Sequence, residues 1–427
     1  MSAETEHQLI RDRCEMVLRQ NWREGALDGT PFAYTCPSPG HYPWQWYWDS
    51  CFHAIVWRRI DPDRARRELA TLLAAQRDDG FIGHTIFWDT PLSGPRRHTY
   101  SVLEVGDPMT ASIQPPLLGW AWRIAVGDPA QEPGIGRQLD WLARNRDLEG
   151  DGLLWIVSPD ESGLDASPQF DPIWGRRAHG LPGYVALVHR NRRRRYDARR
   201  IRDEGGPVCC EVTTNVLHNL SLLACGRRSL TGALIERCWD ESRGLFLPDA
   251  RPAPQRSTLP ATIAALTPLA LPDLPVEIGR RLAEEHLLDP RRFWTPVAPS
   301  SVSVGEPGFS VRDRGALGLR PRRYWRGPTW VNAAWLCWLG LVRLGYEQAA
   351  AELARRLAFA VGRSGLREYY QPYTGAGMGA RDFGWSTLTL ELVDPASGFS
   401  AVSSAGPGTE AADPGTASDD DVGATLS

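Results

Sequence analysis

Apolar positions recur along this chain in two ways. Between Glu4 and Trp22, Leu9, Ile10, Val17 and Leu18 share one face at helical spacing. Asp63–Arg77 repeats the pattern with Leu69, Leu72 and Leu73, and Gly134–Arg146 and Tyr346–Val361 are similarly one-sided. Other segments are apolar nearly all round: Trp44–Arg59, Met109–Val126 and Pro328–Leu344. Leu181–Arg195 and Glu211–Cys225 form a further predicted pair of helices. A helix that is apolar all round must be buried, and a one-sided helix must lie over it. Alternation of the two kinds predicts two concentric rings, an all-α fold of the α/α toroid type.

The connections are long and rich in Gly, Pro and aromatic residues. Gly25–Pro43 reads as loop, and Asp61-Pro62 stops one helix and starts the next. Leu153–Val157 and Val302–Val304 carry strand-type sequence beside turns and predict minor β-hairpins. The arginine-crowded stretch 190–202 reads as a solvated helix end. The pattern stops after residue 394. Residues 395–427 are Pro, Ala, Gly, Ser, Thr and Asp with little apolar bulk, and carry five acids and no base. Such a segment cannot bury enough surface to order itself. The expected organisation is one catalytic domain over residues 1–394 and a disordered acidic tail.

Composition narrows the chemistry. The 427 residues carry a net charge of −3, from 48 basic and 51 acidic residues, which gives no electrostatic case for nucleic acid. Every basic residue is arginine. The absence of lysine excludes Schiff-base chemistry and a P-loop. The eight cysteines are scattered without a C-x-x-C pair, as buried thiols of a reducing compartment would be. The nine histidines include no H-E-x-x-H and no H-x-H, which argues against a dedicated zinc site; no metal or cofactor is expected. The charged N-terminal segment and the lack of a long apolar run point to the cytoplasm and away from a membrane. Tryptophan is in surplus, 18 against 11 Phe and 11 Tyr, which suggests a stacking surface for a ligand as well as a core.

Cleaving a glycosidic bond takes two carboxyl groups flanking it, and sugar C–H faces stack on aromatic rings. Four segments offer acids within aromatic, turn-rich sequence. The first is Tyr42-Pro43-Trp44-Gln45-Trp46-Tyr47-Trp48-Asp49, where Asp49 could also serve as a helix cap. The second is Glu161-Ser162-Gly163-Leu164-Asp165-Ala166-Ser167-Pro168. The third is Tyr324-Trp325-Arg326-Gly327-Pro328-Thr329-Trp330. The fourth is Arg367-Glu368-Tyr369-Tyr370-Gln371-Pro372-Tyr373-Thr374-Gly375, where Glu368 could simply pair with Arg367.

Taken together and in this order, W-x-W-D-S-x-F-H-A, G-F-I-x-H, E-S-G-L-D, Y-W-R-G-P-T-W and R-E-Y-Y-x-P-x-T-G resemble glycoside hydrolase family 63. The resemblance is densest to its glucosylglycerate and mannosylglycerate hydrolases and runs from about Tyr34 to Leu392. It implies an (α/α)6 barrel and inverting hydrolysis of an α-glycosidic bond in a small sugar substrate. By the resemblance, Asp165 is the general acid and Glu368 the general base. Tyr42, Trp46, Trp48, Asp49 and Gln114 then form the sugar pocket with Gly163, and Trp325, Gly327 and Trp330 line its far wall. Phe87, Trp88 and Trp385 are further candidates. The acid's pKa should be raised by apolar surroundings.

Two positions depart from the usual form. Relatives commonly carry Asn where this chain has Ala166, and Asn where it has Gln371. The competing readings are a trehalase or other α-glucosidase of the same clan, a phosphorylase on the same toroid, and a non-catalytic sugar-binding protein. Trehalases share an element like Trp48-Asp49-Ser50, but their second signature is replaced here by Y-W-R-G-P-T-W. A terpene-cyclase toroid would need a D-x-D-D acid, and the only run of three Asp lies in the tail. The aglycone is not legible from these residues. Oligomeric state stays open, a homodimer being one arrangement that the toroid allows.

Overall fold

The computed structural model describes residues 3–88, 92, 94–175, 180–311 and 324–394. The expected acidic tail, 395–427, lies outside them.

Four helices are buried along almost their whole length, as their all-round apolar sequences require: Tyr47–Trp57, Leu118–Ala125, Val212–Ala224 and Val331–Arg343. Two further fully buried elements join them. One is the 3-10 helix Ile263–Ala270; the other is the 3-10 turn Gly384–Leu388 running into the helix Thr389–Val393. These six elements close a ring. Starting at 47–57, each packs on the next through 118–125, 212–224, 263–270, 331–343 and 384–388, and the last returns to 47–57.

Outside each inner element lies a one-sided partner. Pro62–Ala74 covers 47–57, Glu347–Ser364 covers 331–343, Thr231–Cys238 covers 212–224, and Ala3–Asn21 covers 384–393. Val276–Arg281, continued by the π-helical turn Leu282–Leu287, covers 263–270. Pro133–Arg146 turns Ile135, Leu139 and Leu142 inward, and its Gln138 takes the Tyr47 hydroxyl at 3.0 Å. The result is the α/α toroid that the alternation of apolar patterns predicts.

Local chemistry sets the boundaries. The Asp61 carboxylate accepts the Arg64 N–H and Pro62 fills the first helical position, so 62–74 starts there. Glu211 does the same for 212–224, its Oε2 accepting the Thr214 N–H at 2.7 Å. The predicted helix Met109–Val126 begins only at Leu118. Pro115 and Pro116 lack an N–H and push the residues before them out of helical geometry. Gly25–Pro43, read as loop, holds a true hairpin. Trp22–Leu27 pairs antiparallel with Thr30–Thr35 around Asp28-Gly29, both at positive φ (49° and 82°), a type of turn that Asp-Gly favours. Leu153–Val157 turns back on the chain before it through an antiparallel bridge of Leu154 to Asp147, whereas Val302–Val304 forms no hairpin of its own. They contribute isolated bridges, Ile156 to Cys209 and Val302 to Thr262.

Leu181–Arg193 is not the outer partner of 212–224. It packs on the short helix Gly94–Thr99 instead. Its apolar stripe is narrow: Leu187 and Val188 are buried, but Val185 is 44% exposed. None of the eight cysteines is in a disulfide, and seven are buried. Among the described residues no helix is long and apolar enough to cross a membrane, and no cluster of His, Cys, Asp and Glu is arranged to hold a metal.

Candidate active site

The four motif segments meet at one end of the ring. Gln45–Trp46 pairs antiparallel with Thr85–Ile86, which sets the Trp46 ring edge-on to His84 with centroids 5.1 Å apart. The helix that follows carries Trp48 and Asp49 in its first turn. Trp48 is fixed at two points: its N–H donates to Gln114 Oε1 (2.9 Å), and its indole lies on Gly163. A Cβ at Gly163 would fall 2.5 Å from Trp48 Cη2, and its φ of +70° favours glycine independently. Thus Gly163 lets the Asp165 loop approach the Trp48 ring.

Around this contact lies a narrow cavity. Tyr42, Trp46, Trp48, Asp49, Gln114, Gly163, Asp165 and Trp385 line it, together with Pro37, His84, Tyr324 and Phe383. Asp165 is half-buried at its wall. Burial, reinforced by the neighbouring Asp160 carboxyl and more weakly by Glu368, pushes the Asp165 carboxyl up to about 7. Burial also raises Asp49 well above the usual carboxylate range, with Glu368 and Glu68 adding to it. Among the described residues, buried Asp49 Oδ1 has no hydrogen-bond partner. A polar atom left so in an aromatic cavity is suited to a ligand hydroxyl. Asp49 sits inside the helix's first turn, and the cap position belongs to Trp46. Burial drives the His84 imidazole down to about 3, so it is neutral at ordinary pH.

Glu368 lies directly behind this wall, 1% exposed. Its Oε1 accepts the Tyr324 hydroxyl at 2.6 Å and the Tyr42 hydroxyl at 3.0 Å, and its Oε2 accepts the Ala380 N–H at 2.8 Å. The hairpin Arg367–Tyr370 with Gly377–Arg381 supplies both sides of this arrangement. Gly379 makes the room, since a Cβ there would stand 2.4 Å from Glu368 Oε2. Arg367 turns away, donating to the carbonyls of Ala380 and Gly379.

Backbone and ion pairs tie the segments together. Thr329 and Tyr370 exchange both backbone hydrogen bonds (2.8 and 2.9 Å), which joins the third segment to the fourth. Arg326 pairs with Asp171, joining the third to the loop beyond Asp165. Trp385 Nε1 donates to the Glu368 carbonyl at 3.0 Å.

Besides Glu368, five residues named from the sequence lie away from the cavity wall. Trp325 and Trp330 stack at 3.9 Å and 6°, and Trp330 stacks in turn on Tyr369 and meets Tyr324 edge-on. They form a rigid layer behind Tyr324. Gly327 follows them there, its N–H on Ser301 Oγ. Phe87 packs with Trp44 and Tyr100 in a separate apolar cluster. Trp88 stacks on Phe32, with Nε1 donating to Gln45. Conversely, Tyr324, His84 and Phe383 line the cavity although none of them was a candidate from sequence. Each stands inside a quoted motif or next to a candidate: at the first position of Y-W-R-G-P-T-W, the last of G-F-I-x-H, and beside Trp385. Pro37 lies in a loop and carries no such signal.

The two departures have local explanations. Ala166 adopts a left-handed conformation (φ 61°), which Asn tolerates better than Ala. Gln371 Oε1 accepts the N–H groups of Tyr373 and Thr374, both at 2.7 Å, and so closes the hairpin turn as a turn-forming Asn would.

The chain is similar to known glycoside hydrolases. The chain is 29% identical to the mannosylglycerate hydrolase of Rubrobacter radiotolerans, over 89% of this chain and 96% of that one. It is 28% identical to the glucosylglycerate hydrolase of Mycolicibacterium hassiacum, over 83% and 93%. The crystal structure of the family 63 mannosylglycerate hydrolase of Thermus thermophilus, in complex with Tris and D-glycerate, superposes with a TM-score of 0.72 at 27% identity. That match covers 90% of this chain and 99% of the other. The mannosylglycerate hydrolase MGH1-like glycoside hydrolase domain matches residues 42–386, a span that runs from Tyr42 at the cavity's rim past Glu368 and Trp385. A toroid walled by tryptophan around carboxyl groups is what such a hydrolase needs, and the chain belongs to this family of glycoside hydrolases, within family 63.

Proposed function

We propose that the enzyme hydrolyses the α-glycosidic bond of mannosylglycerate or glucosylglycerate with inversion, Asp165 acting as general acid and Glu368 as general base. The observation that carries this reading is a link across one wall: Asp165 lines the cavity, and Glu368, behind it, bonds two tyrosines, Tyr42 and Tyr324, that line it too. The substrate class rests on the relatives, which are hydrolases of these two compounds.

Asp165, held up to about 7, keeps a proton near neutrality and gives it to the glycosidic oxygen as the bond to the anomeric carbon breaks. Glu368 takes a proton from a water that attacks the opposite face of the sugar. A carboxylate offers about four acceptor sites, and the two tyrosines and Ala380 occupy three of those of Glu368. One remains for the water. After turnover Asp165 is ionised and Glu368 protonated, and exchange with solvent restores both. Trp46, Trp48 and Trp385 offer faces for the sugar's C–H groups, and Asp49 Oδ1 accepts a hydroxyl.

A panel of mannosylglycerate, glucosylglycerate, trehalose and kojibiose, followed by NMR of the fresh product, tests the reading. We expect turnover of a glycerate glycoside with release of the β-anomer. Early α-anomer would exclude inversion, and preference for trehalose would displace the substrate assignment.

A further inference from the structure

Glu161 opens the E-S-G-L-D motif and takes no part in the chemistry above. Its carboxylate is fully buried, and so is its partner, the Arg146 guanidinium. The two meet fork to fork, Nη1 on Oε2 and Nη2 on Oε1, both at 2.7 Å. The same carboxylate accepts two backbone N–H groups, Ile113 at 3.0 Å and Val157 at 2.8 Å. Every one of these donors belongs to a different part of the site's support. Arg146 ends the outer helix 133–146. Ile113 immediately precedes Gln114, which holds the Trp48 N–H and lines the cavity. Val157 leads into the turn Pro159–Ser162, from which the chain passes over Trp48 at Gly163 to Asp165.

A buried ion pair adds little net stability over well-packed apolar residues of the same size. What a planar, bidentate pair supplies is direction, because both members are held in one plane with fixed separation. We propose that Arg146 and Glu161 are positioning residues for proton delivery: their pair sets the Asp165 loop against the Gln114 segment, and so aims the Asp165 carboxyl at the leaving oxygen. The inference rests on the reading of Asp165 as general acid.

The test compares two substrates, the α-glycoside that the wild-type enzyme turns over and the α-glycosyl fluoride of the same sugar. Fluoride departs without needing a proton, so a fault in proton delivery costs little there. The variants are Asp165→Asn and the double change Arg146→Gln with Glu161→Gln, which removes both charges together and leaves neither buried alone. For the double variant we expect kcat on the glycoside to fall at least about 30-fold, and on the fluoride less than about threefold. If the double variant does not fold, Arg146→Lys, which keeps the charge and loses the fork, should show the same discrimination at about tenfold. Equal losses on both substrates, or no loss on either, would overturn the proposal. If Asp165→Asn itself fails to discriminate, the acid assignment falls and this inference with it. If Asp165→Asn discriminates and the pair variants do not, only this inference falls.

Discussion

The Tyr324 hydroxyl donates to Glu368 Oε1 at 2.6 Å, and its ring faces the cavity that Asp165 lines. One tyrosine therefore links Glu368, behind the wall, to the cavity that Asp165 lines. Phenylalanine at 324 keeps the ring and its edge-on contact with Trp330 while leaving Oε1 to Tyr42 alone. We expect Tyr324→Phe to lower kcat about tenfold or more with an unchanged melting temperature. Undiminished kcat would remove Tyr324 from the machinery.

Asp165→Asn and Glu368→Gln delete the two proposed proton transfers separately. Each should lower kcat by about 10² to 10⁴-fold on the natural glycoside while circular dichroism stays that of the native fold. Retention of most activity by either variant would refute its role.

The raised Asp165 carboxyl has two consequences of definite sign. Catalysis needs the protonated acid, so kcat/KM should fall about tenfold per pH unit above about 7. Stability follows the same group. Its folded pKa exceeds the ordinary 3.8, so between about pH 4 and 7 the folded state binds more protons than the unfolded state. The stabilisation is present below 4 and lost as pH rises through 7. Asparagine carries no such charge. Asp165→Asn should therefore melt higher than wild type at pH 8, and this advantage should shrink toward pH 4; an advantage independent of pH would contradict the assignment.

Ala166 holds a left-handed backbone conformation without the freedom of glycine. Ala166→Gly should stabilise the enzyme by about 1 kcal/mol in chemical denaturation. A destabilisation of similar size would mean that the Ala166 methyl packs better than its backbone fits.

The inner helices were legible because burial on all sides leaves an unmistakable sequence, as in Val331–Arg343, where Asn332 is the one polar residue before Arg343. Ile263–Ala270 was not, for it is only 8 residues long and Pro268 interrupts the usual hydrogen bonding. The motifs marked the site but not its depth. Trp325 and Trp330 differ from Trp46 and Trp48 in no way that sequence records, yet the first two brace Tyr324 from behind and the others face the cavity. Which ring of an aromatic cluster meets a ligand is decided by the loops that cross it, such as Gly163 over Trp48.

The inner ring closes between its first and last members, 47–57 and 384–388. During synthesis the amino-terminal wall of the cavity, from Tyr42 to Gln114, emerges long before Glu368 and Trp385. Until they arrive, Trp48 lacks the ring of Trp385 that meets it edge-on. Such late pairing is slow, since distant parts of the chain must find each other. The growing polypeptide thus carries these unpaired aromatic rings for most of its translation, the kind of exposed apolar surface that favours aggregation before a large domain closes.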